Sequence, residues 1–318
     1  MRVLVTGGTG FVGRHLCNLL SSRGFDVTAA VRSPPGDDFV HPVVVIGDIS
    51  ANPDFSAIPD GVDAVVHLAA RVHVMHDRAS DPLYEFRRVN VRGTRKLLQA
   101  AVRRGVKRFV YLSTIKVHGE MTGQEPFKVS DAVAPDDPYA ISKLEAENLV
   151  SAMGADAGLE TVIIRPPLVY GAGVGGNVLR LMRLVDSGYP IPLGAVRNSR
   201  SLVAVSNLCD LISVCLTNDA APGRRFLVSD NSDVSVRQII ELMASAMSKP
   251  PRLLNVPIPL LRYVAGVVGR GAEISRLVDS LSVDTRDTRQ TLDWTPPVRP
   301  EDEIRSTVDW FLEQKSRD

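Results

Sequence analysis

An apolar strand that breaks into glycines and resumes as a helix constrains this chain more than any other feature. Residues 3–6 read as a short buried strand, and residues 11–22 carry helical periodicity that stops at Arg23-Gly24. Between them lies Thr6-Gly7-Gly8-Thr9-Gly10-Phe11-Val12-Gly13. Glycine lets backbone N–H groups come close to a pyrophosphate, and the start of the helix favours its negative charge. With a strand before it and a helix after it, the loop reads as a nucleotide cradle rather than a plain glycine-rich turn. Its spacing, Gly7-x-x-Gly10-x-x-Gly13, differs from the G-x-G-x-x-G of common dehydrogenases.

The strand-then-helix order continues. Residues 27–31, 43–46, 64–68, 109–112 and 161–164 are further apolar runs of strand length. Being continuous rather than alternating, they suit parallel strands buried on both faces. The alternation predicts an α/β fold, a doubly wound parallel-sheet Rossmann domain, with its ligand at the carboxyl ends of the strands. After Tyr170-Gly171-Ala172-Gly173, prolines and glycines become frequent and the strands short. The expected division is an NAD(P)-binding domain over residues 1–166 and a smaller α+β lobe, mainly substrate-binding, over residues 167–318. Residues 197–216, read as a strand at 201–205 and a helix at 207–216, are expected to return to the main sheet.

Bulk properties narrow the partners. The 318 residues carry a net charge of +1, so charge gives no argument for nucleic acid or a membrane surface. Hydrophobic residues at 44% and charged residues at 23% are those of a globular domain. Cys17, Cys209 and Cys215 fall in apolar helical stretches, which predicts packed thiols in a reduced, cytoplasmic protein. Met1-Arg2 runs straight into Val3-Leu4-Val5, so no signal peptide is expected. The most apolar stretch, residues 253–268, is interrupted by Pro257, Pro259 and Arg262, and no run is long enough to span a bilayer. His67, His73 and His76 have no carboxylate or cysteine at a ligand spacing, and no metal site is expected. The basic run through Arg87, Arg88, Arg92, Arg95, Lys96, Arg103, Arg104, Lys107 and Arg108 reads as the solvated face of a helix, offset by acids elsewhere.

Tyr139 and Lys143 stand four apart at the start of a helical pattern, after a strand that ends in Ser113-Thr114. One helical turn puts them on one face. A tyrosine titrates near 10 and needs help to act as a base at neutral pH. An ammonium ~4 Å from a phenolate is worth ~4 kcal/mol at an effective dielectric of ~20, a depression of up to ~3 pKa units before desolvation opposes it. The expectation is a proton donor and acceptor for hydride transfer at a carbonyl or hydroxyl carbon.

The motifs form a set: the glycine loop, His67-Leu68-Ala69-Ala70, Asn90-Val91-Arg92-Gly93-Thr94, Leu112-Ser113-Thr114, the Tyr139/Lys143 pair and Arg165-Pro166-Pro167-Leu168-Val169-Tyr170-Gly171. This set resembles the extended short-chain dehydrogenases/reductases, the nucleotide-sugar epimerase and dehydratase group, over nearly the whole chain. The resemblance implies a catalytic triad of Thr114, Tyr139 and Lys143. Thr114 is placed by the following Val117-His118-Gly119 and orients the reacting oxygen, while Ser113 faces the other way. It implies dinucleotide contacts from Gly7, Thr9, Gly10, Phe11, Val12, Gly13, Asp48, Ile49, Leu68, Ala69, Ala70, Asn90 and Pro166, with Lys143 on the nicotinamide ribose. The end of the second strand reads Ala29-Ala30-Val31-Arg32-Ser33, with no acid for a ribose 2′-hydroxyl, so Arg32 favours NADP(H) over NAD(H).

On the substrate side, the resemblance assigns Asn177, Arg200 and Arg276 to the diphosphate and Leu193, in Pro190-Ile191-Pro192-Leu193-Gly194, to the base. In the family's 4,6-dehydratases an Asp-Glu pair follows the threonine. Here Ile115 and Lys116 stand there, so dehydration is not expected. The leading expectation is reduction of a UDP- or dTDP-linked 4-keto sugar, of the UDP-4-keto-6-deoxy-N-acetylhexosamine type used in surface-polysaccharide synthesis. The alternative is a UDP-hexose 4-epimerase using the same residues. A non-catalytic NADP-binding regulator ranks third, since such proteins lose the tyrosine or the lysine. By resemblance, a homodimer through the helix of the basic run and the one that carries Tyr139 is expected.

Overall fold

The computed structural model describes residues 1–72 and 79–317. Seven strands form one parallel sheet: β1 (Arg2–Thr6), β2 (Asp26–Val31), β3 (Val43–Val45), β4 (Ala64–His67), β5 (Arg108–Leu112), β6 (Glu160–Arg165) and β9 (Arg225–Leu227). A separate parallel pair joins β7 (Leu168–Tyr170) to β8 (Leu202–Ala204). The helices around the main sheet are α1 (Phe11–Ser22), α2 (Pro82–Arg87), α3 (Thr94–Arg103), α4 (Pro138–Ala157) and α6 (Val205–Thr217). Those of the second lobe are α5 (Gly176–Ser187), α7 (Val236–Ala246), α8 (Ile258–Val267), α9 (Gly271–Val278), α10 (Arg286–Leu292) and α11 (Pro300–Arg317).

The sheet order β3-β2-β1-β4-β5-β6-β9 reverses direction between β1 and β4. In an open parallel sheet that reversal opens a crevice at the carboxyl ends. Register brings those ends level: Thr6 lies beside Ala30 and His67, His67 beside Tyr111, and Leu112 beside Ile164. Alternation along β1 explains why both faces are covered. Val3 and Val5 pack with α1 and α6, through Leu16, Leu208 and Ile212, while Leu4 packs with α3 and α4, through Leu97 and Val150. Each such side chain contributes about 1.5–3 kcal/mol on full burial. The lobe has its own core of Tyr170, Met182, Ile191, Ile240 and Val308, and Phe11 touches both this core and that of the sheet. The fold is α/β, a doubly wound parallel sheet with a smaller second lobe.

The strand expected to return at 201–205 pairs with β7 instead, and β9 takes the open edge beside β6. The helix that follows, α6, does pack beneath the main sheet, since Leu208, Cys209, Ile212 and Cys215 join its core. All three cysteines are buried and unbridged, and burial raises the thiols of Cys17 and Cys215 to about 12. Acids offset the basic run: Arg87 pairs with Glu145, Arg88 with Glu85, Arg104 with Asp60 and Arg108 with Glu160.

Candidate active site

The glycine loop is shaped for close approach. Gly7 has φ +71°, and a Cβ there would lie 2.9 Å from the Ala69 nitrogen. A Cβ on Gly13 would lie 2.1 Å from the Gly7 carbonyl oxygen, so only glycine lets α1 start this close to β1. No side chain caps α1 at Gly10. The first-turn N–H groups of a helix lack intrahelical partners and favour an anion. The loop therefore fits a pyrophosphate, held by backbone rather than by the side chains of Phe11 and Val12, which pack into the cores. Arg14 is a residue the sequence reading missed. It donates to the Thr9 carbonyl at 3.1 Å and pairs with Asp38 at 2.8 Å, placing a second cation between the loop and the segment after β2. Its signal was its place one helical turn after Gly10. Arg32 and Asp48 are exposed at the ends of β2 and β3, and hydrogen bonds from Ser50 hold the Asp48 carboxyl low. Ile49 is buried beneath Gly93, and Leu68, Ala69 and Ala70 are half-buried at the end of β4.

A buried chain of hydrogen bonds runs from this loop to the tyrosine. The Thr94 hydroxyl donates to the Asn90 carbonyl at 2.6 Å, so it accepts from His67 Nε2 at 2.9 Å. His67 Nδ1 then accepts from the Thr6 hydroxyl at 2.6 Å. Burial, and secondarily the charge of Lys143, pushes the imidazole down to about 3, so it is neutral. The Asn90 amide donates to the Ser142 hydroxyl at 2.9 Å and exchanges two bonds with the Arg71 backbone. Ser142 in turn donates to the Tyr139 carbonyl at 2.7 Å. Asn90, expected to touch the dinucleotide, thus has its side chain committed to bracing the β4 loop against α4. His67 serves the same brace, and His73 and His76 lie outside the described residues.

Helix α4 begins where Asp137 accepts from the Ala140 N–H at 2.6 Å, and Pro138 occupies its first turn. That start sets Tyr139 over the end of β5. Thr114 follows β5 beside Tyr139, and its hydroxyl accepts from the Lys116 N–H at 3.3 Å. Pro166 is buried, and its carbonyl accepts from the Ile115 N–H at 2.9 Å, fixing this turn. Lys143 is buried, donates to the Leu112 carbonyl at 2.5 Å and sits 4.1 Å from the Tyr111 ring centre. The three expected residues thus lie at the end of β5 and the start of α4, but the electrostatics differ from expectation. Burial, and then the charge of Asp137, pushes Tyr139 up from its ordinary value, with only the Thr114 hydroxyl opposing. Lys143 does not lower it, because burial brings the ammonium itself down to about 7 and its donor faces Leu112.

Beneath the triad lies a pair the sequence reading did not find. Glu147, one turn past Lys143, is fully buried and takes a forked bond from Arg165, with contacts at 3.0 and 2.6 Å. Ser113 donates to the same carboxylate, pointing away from Thr114, and His118 Nε2 lies 2.7 Å from Arg165 Nη1. Arg165 beside it, after desolvation, holds His118 down at about 4. The i, i+4 spacing of Lys143 and Glu147 was the available signal.

The substrate residues are less gathered. Arg200 donates to the backbone carbonyls of Arg276 and Asp279 at 2.9 and 3.1 Å, which brings the two arginines together but engages the first. Arg276 lies 3.6 Å from Glu120, and Glu120 and Asp137 each hold Lys116 at 2.7 Å. Asn177 is exposed in the first turn of α5. Leu193 packs into the lobe core and is not presented to a base; the adjoining Gly194 carbonyl accepts from Arg197 and Arg237 instead.

Comparison with known proteins accords with this geometry. Residues 3–229 match the NAD dependent epimerase/dehydratase family. A UDP-glucose 4-epimerase of Vibrio cholerae is 42% identical over 99% of this chain and 97% of its own. The structure of MoeE5 in complex with UDP-glucuronic acid and NAD superposes with a TM-score of 0.80 at 25% identity, over 99% of this chain and 100% of that one. A Thermus thermophilus UDP-glucose 4-epimerase in complex with NAD gives 0.76 at 25% identity, over 98% and 99%. The chain belongs to the NAD dependent epimerase/dehydratase family.

Proposed function

We propose that this member of the family is a nucleotide-sugar 4-epimerase acting on a UDP-hexose. The observation that carries the reading is a complete Thr114–Tyr139–Lys143 site, with no acid at 115 or 116, on a chain 42% identical over its full length to a UDP-glucose 4-epimerase. This reverses the order expected from sequence. The same triad serves a 4-keto reductase, and the missing dehydratase pair argues equally for either reaction, so the kinship supports the epimerase.

When bound, the dinucleotide supplies a hydride acceptor and, in its oxidised form, a positive charge. The glycine loop and the start of α1 would hold its pyrophosphate, and Lys143 its nicotinamide ribose. Thr114 holds the hydroxyl of the sugar carbon in line with Tyr139. Tyr139 takes the hydroxyl proton as the oxygen becomes a carbonyl and returns it when the alcohol re-forms on the opposite face. Because burial holds Tyr139 protonated, the base form depends on cations drawn near it: Lys143 once protonated, and the oxidised ring. Arg200 and Arg276 would flank the diphosphate, with Arg276 exchanging Glu120 for phosphate oxygens.

Arg32 carries a finer reading of the cofactor. Exposed at the end of β2, where an acid would be needed for the 2′-hydroxyl, it supports tighter binding of NADP than of NAD. The solved relatives named above carry NAD, so this preference rests on the residue alone. Tighter binding of NAD would overturn it and leave the epimerase reading intact. The half-exposed groove between α3 and α4, lined by Val102, Arg103, Met153 and Asp156, supports a homodimer there, which sedimentation tests.

The deciding assay incubates the purified chain with oxidised dinucleotide and UDP-glucose, UDP-galactose or their N-acetylated counterparts, and separately with NADPH and a UDP-linked 4-keto sugar. Interconversion at C4 without net cofactor consumption is expected. Stoichiometric oxidation of NADPH by a 4-keto sugar, with no interconversion, would establish the reductase instead.

A further inference from the structure

The most apolar stretch of the chain finds no place in this reaction, and the fold leaves it in the open. Helix α8 turns Ile258, Leu261 and Ala265 inward against the lobe. Its opposite stripe is apolar as well. Leu260, Tyr263, Val264 and Val267 recur at helical spacing, and each is 51–73% exposed, as are Leu254 before the helix and Val268 at its end. At 100° per residue the four helical side chains occupy an arc of about 100°. A helix apolar on both its inner and outer faces belongs in a core or at a boundary with something apolar.

Charge names the kind of boundary. Residues 242–272 contain Lys249, Arg252, Arg262 and Arg270 and no Asp or Glu, in a chain whose net charge is only +1. Lys249 pairs with Asp186 and Arg262 with Asp279. Arg252 and Arg270 have no acidic partner among the described residues and flank the apolar stripe in sequence. The nearest acid beyond the helix is the exposed Glu273 on α9. An apolar arc with a tyrosine in it, and exposed arginines before and after it in sequence, matches an anionic lipid surface, where tyrosine sits at the headgroup level and arginine meets phosphate. A second copy of this chain fits less well, since a twofold contact through the same stripe would bring like charges together.

We propose that α8 docks the protein peripherally on anionic bilayers, with Leu260, Tyr263, Val264 and Val267 entering the headgroup region and Arg252 and Arg270 contacting lipid phosphate. Helix α9 follows directly and carries Arg276, so the docked face sets the substrate lobe toward the membrane. The inference does not rest on the proposed reaction; a chain that binds vesicles yet turns over no UDP-sugar leaves it standing.

Co-flotation of the full chain with vesicles tests it, comparing phosphatidylglycerol mixed with phosphatidylcholine against phosphatidylcholine alone. Binding is expected to the anionic vesicles and to weaken with salt. The pairs Tyr263→Glu with Val267→Glu, and Arg252→Glu with Arg270→Glu, should each reduce the bound fraction roughly tenfold or more. All four side chains are exposed, so melting midpoints should stay where they are. Absence of binding to anionic vesicles overturns the proposal, as does binding that both pairs leave unchanged. Self-association that the Tyr263/Val267 pair abolishes, in a chain that ignores vesicles, would assign the stripe to a second copy.

Discussion

Replacing Lys143 should make this protein more stable below neutral pH while silencing it. The side chain is 2% exposed, and its ammonium has a backbone carbonyl and an aromatic face for company. Burial moves its pKa from 10.5 to about 7. Between those values the unfolded chain keeps a proton on this lysine that the folded chain releases. Stability rises with pH wherever the unfolded state binds more protons. The lysine therefore costs the native state most below pH 7, and the cost fades as pH climbs toward 10.5. At 1.36 kcal/mol per pH unit the whole span amounts to ~5 kcal/mol, of which roughly 3 kcal/mol falls between about pH 6.5 and 9.5. Lys143→Met keeps similar volume and has no proton to lose, but it strips the Leu112 carbonyl of its donor, an offset of ~1–3 kcal/mol. The variant should be ~2–4 kcal/mol more stable than the parent near pH 6.5, with the gap closing or reversing near pH 9.5. Urea denaturation of both proteins at both pH values measures this, and taking differences cancels the titrating groups that Lys143 does not touch. A gap that stays constant with pH would refute the reasoning, whatever its size.

Three further changes probe the site from other sides. Tyr139→Phe should lower kcat by roughly 10²–10⁴ with little change in melting, and full retention of turnover would remove Tyr139 from the proton transfer. Gly13→Ala puts a methyl 2.1 Å from the Gly7 carbonyl, so dinucleotide binding measured by calorimetry should vanish and stability fall by about 1–3 kcal/mol. Glu147→Gln leaves Arg165 buried without its counter-charge and should destabilise by ~3–5 kcal/mol, whereas Glu147→Met with Arg165→Met should recover most of the loss in denaturant titrations.

The parts of the fold readable in the sequence are those with a local cause. Val3 to Thr6 and the glycines after it admit one backbone course, and the structure follows it. The start of α4 was legible because Asp137-Pro138 is a cap followed by a first-turn proline. What escaped depends on partners distant in sequence. Arg165 lies 18 residues from the carboxylate it grips, and the Asn90 amide closes on Ser142 across 52 residues. Lys143 lies on the helix expected for it, yet its expected influence on Tyr139 is absent, because spacing along a helix fixes a face and says nothing of the carbonyl the ammonium will choose. The lobe was the least legible, since its short strands take their partners from the tertiary fold: β8 matched the expected segment and paired with β7 rather than with the main sheet.

The same register also accounts for the chemistry the site omits. Ile115 is buried in the turn after Thr114, where a carboxylate would be desolvated and costly to ionise. Lys116 is held between Glu120 and Asp137, so its charge is already committed to the protein. An elimination needs an acid and a base beside the reacting carbons, in addition to the group that handles the carbonyl oxygen. Neither position supplies one. Hydride transfer at one carbon, in a 4-epimerase or a 4-keto reductase alike, needs a proton carrier at one oxygen only, the role proposed for Tyr139 with Thr114. In the proposed reading, the two side chains after the threonine argue against elimination and leave hydride transfer at one carbon, and the Lys116–Glu120–Arg276 chain of charges links them to the residues that would hold the diphosphate.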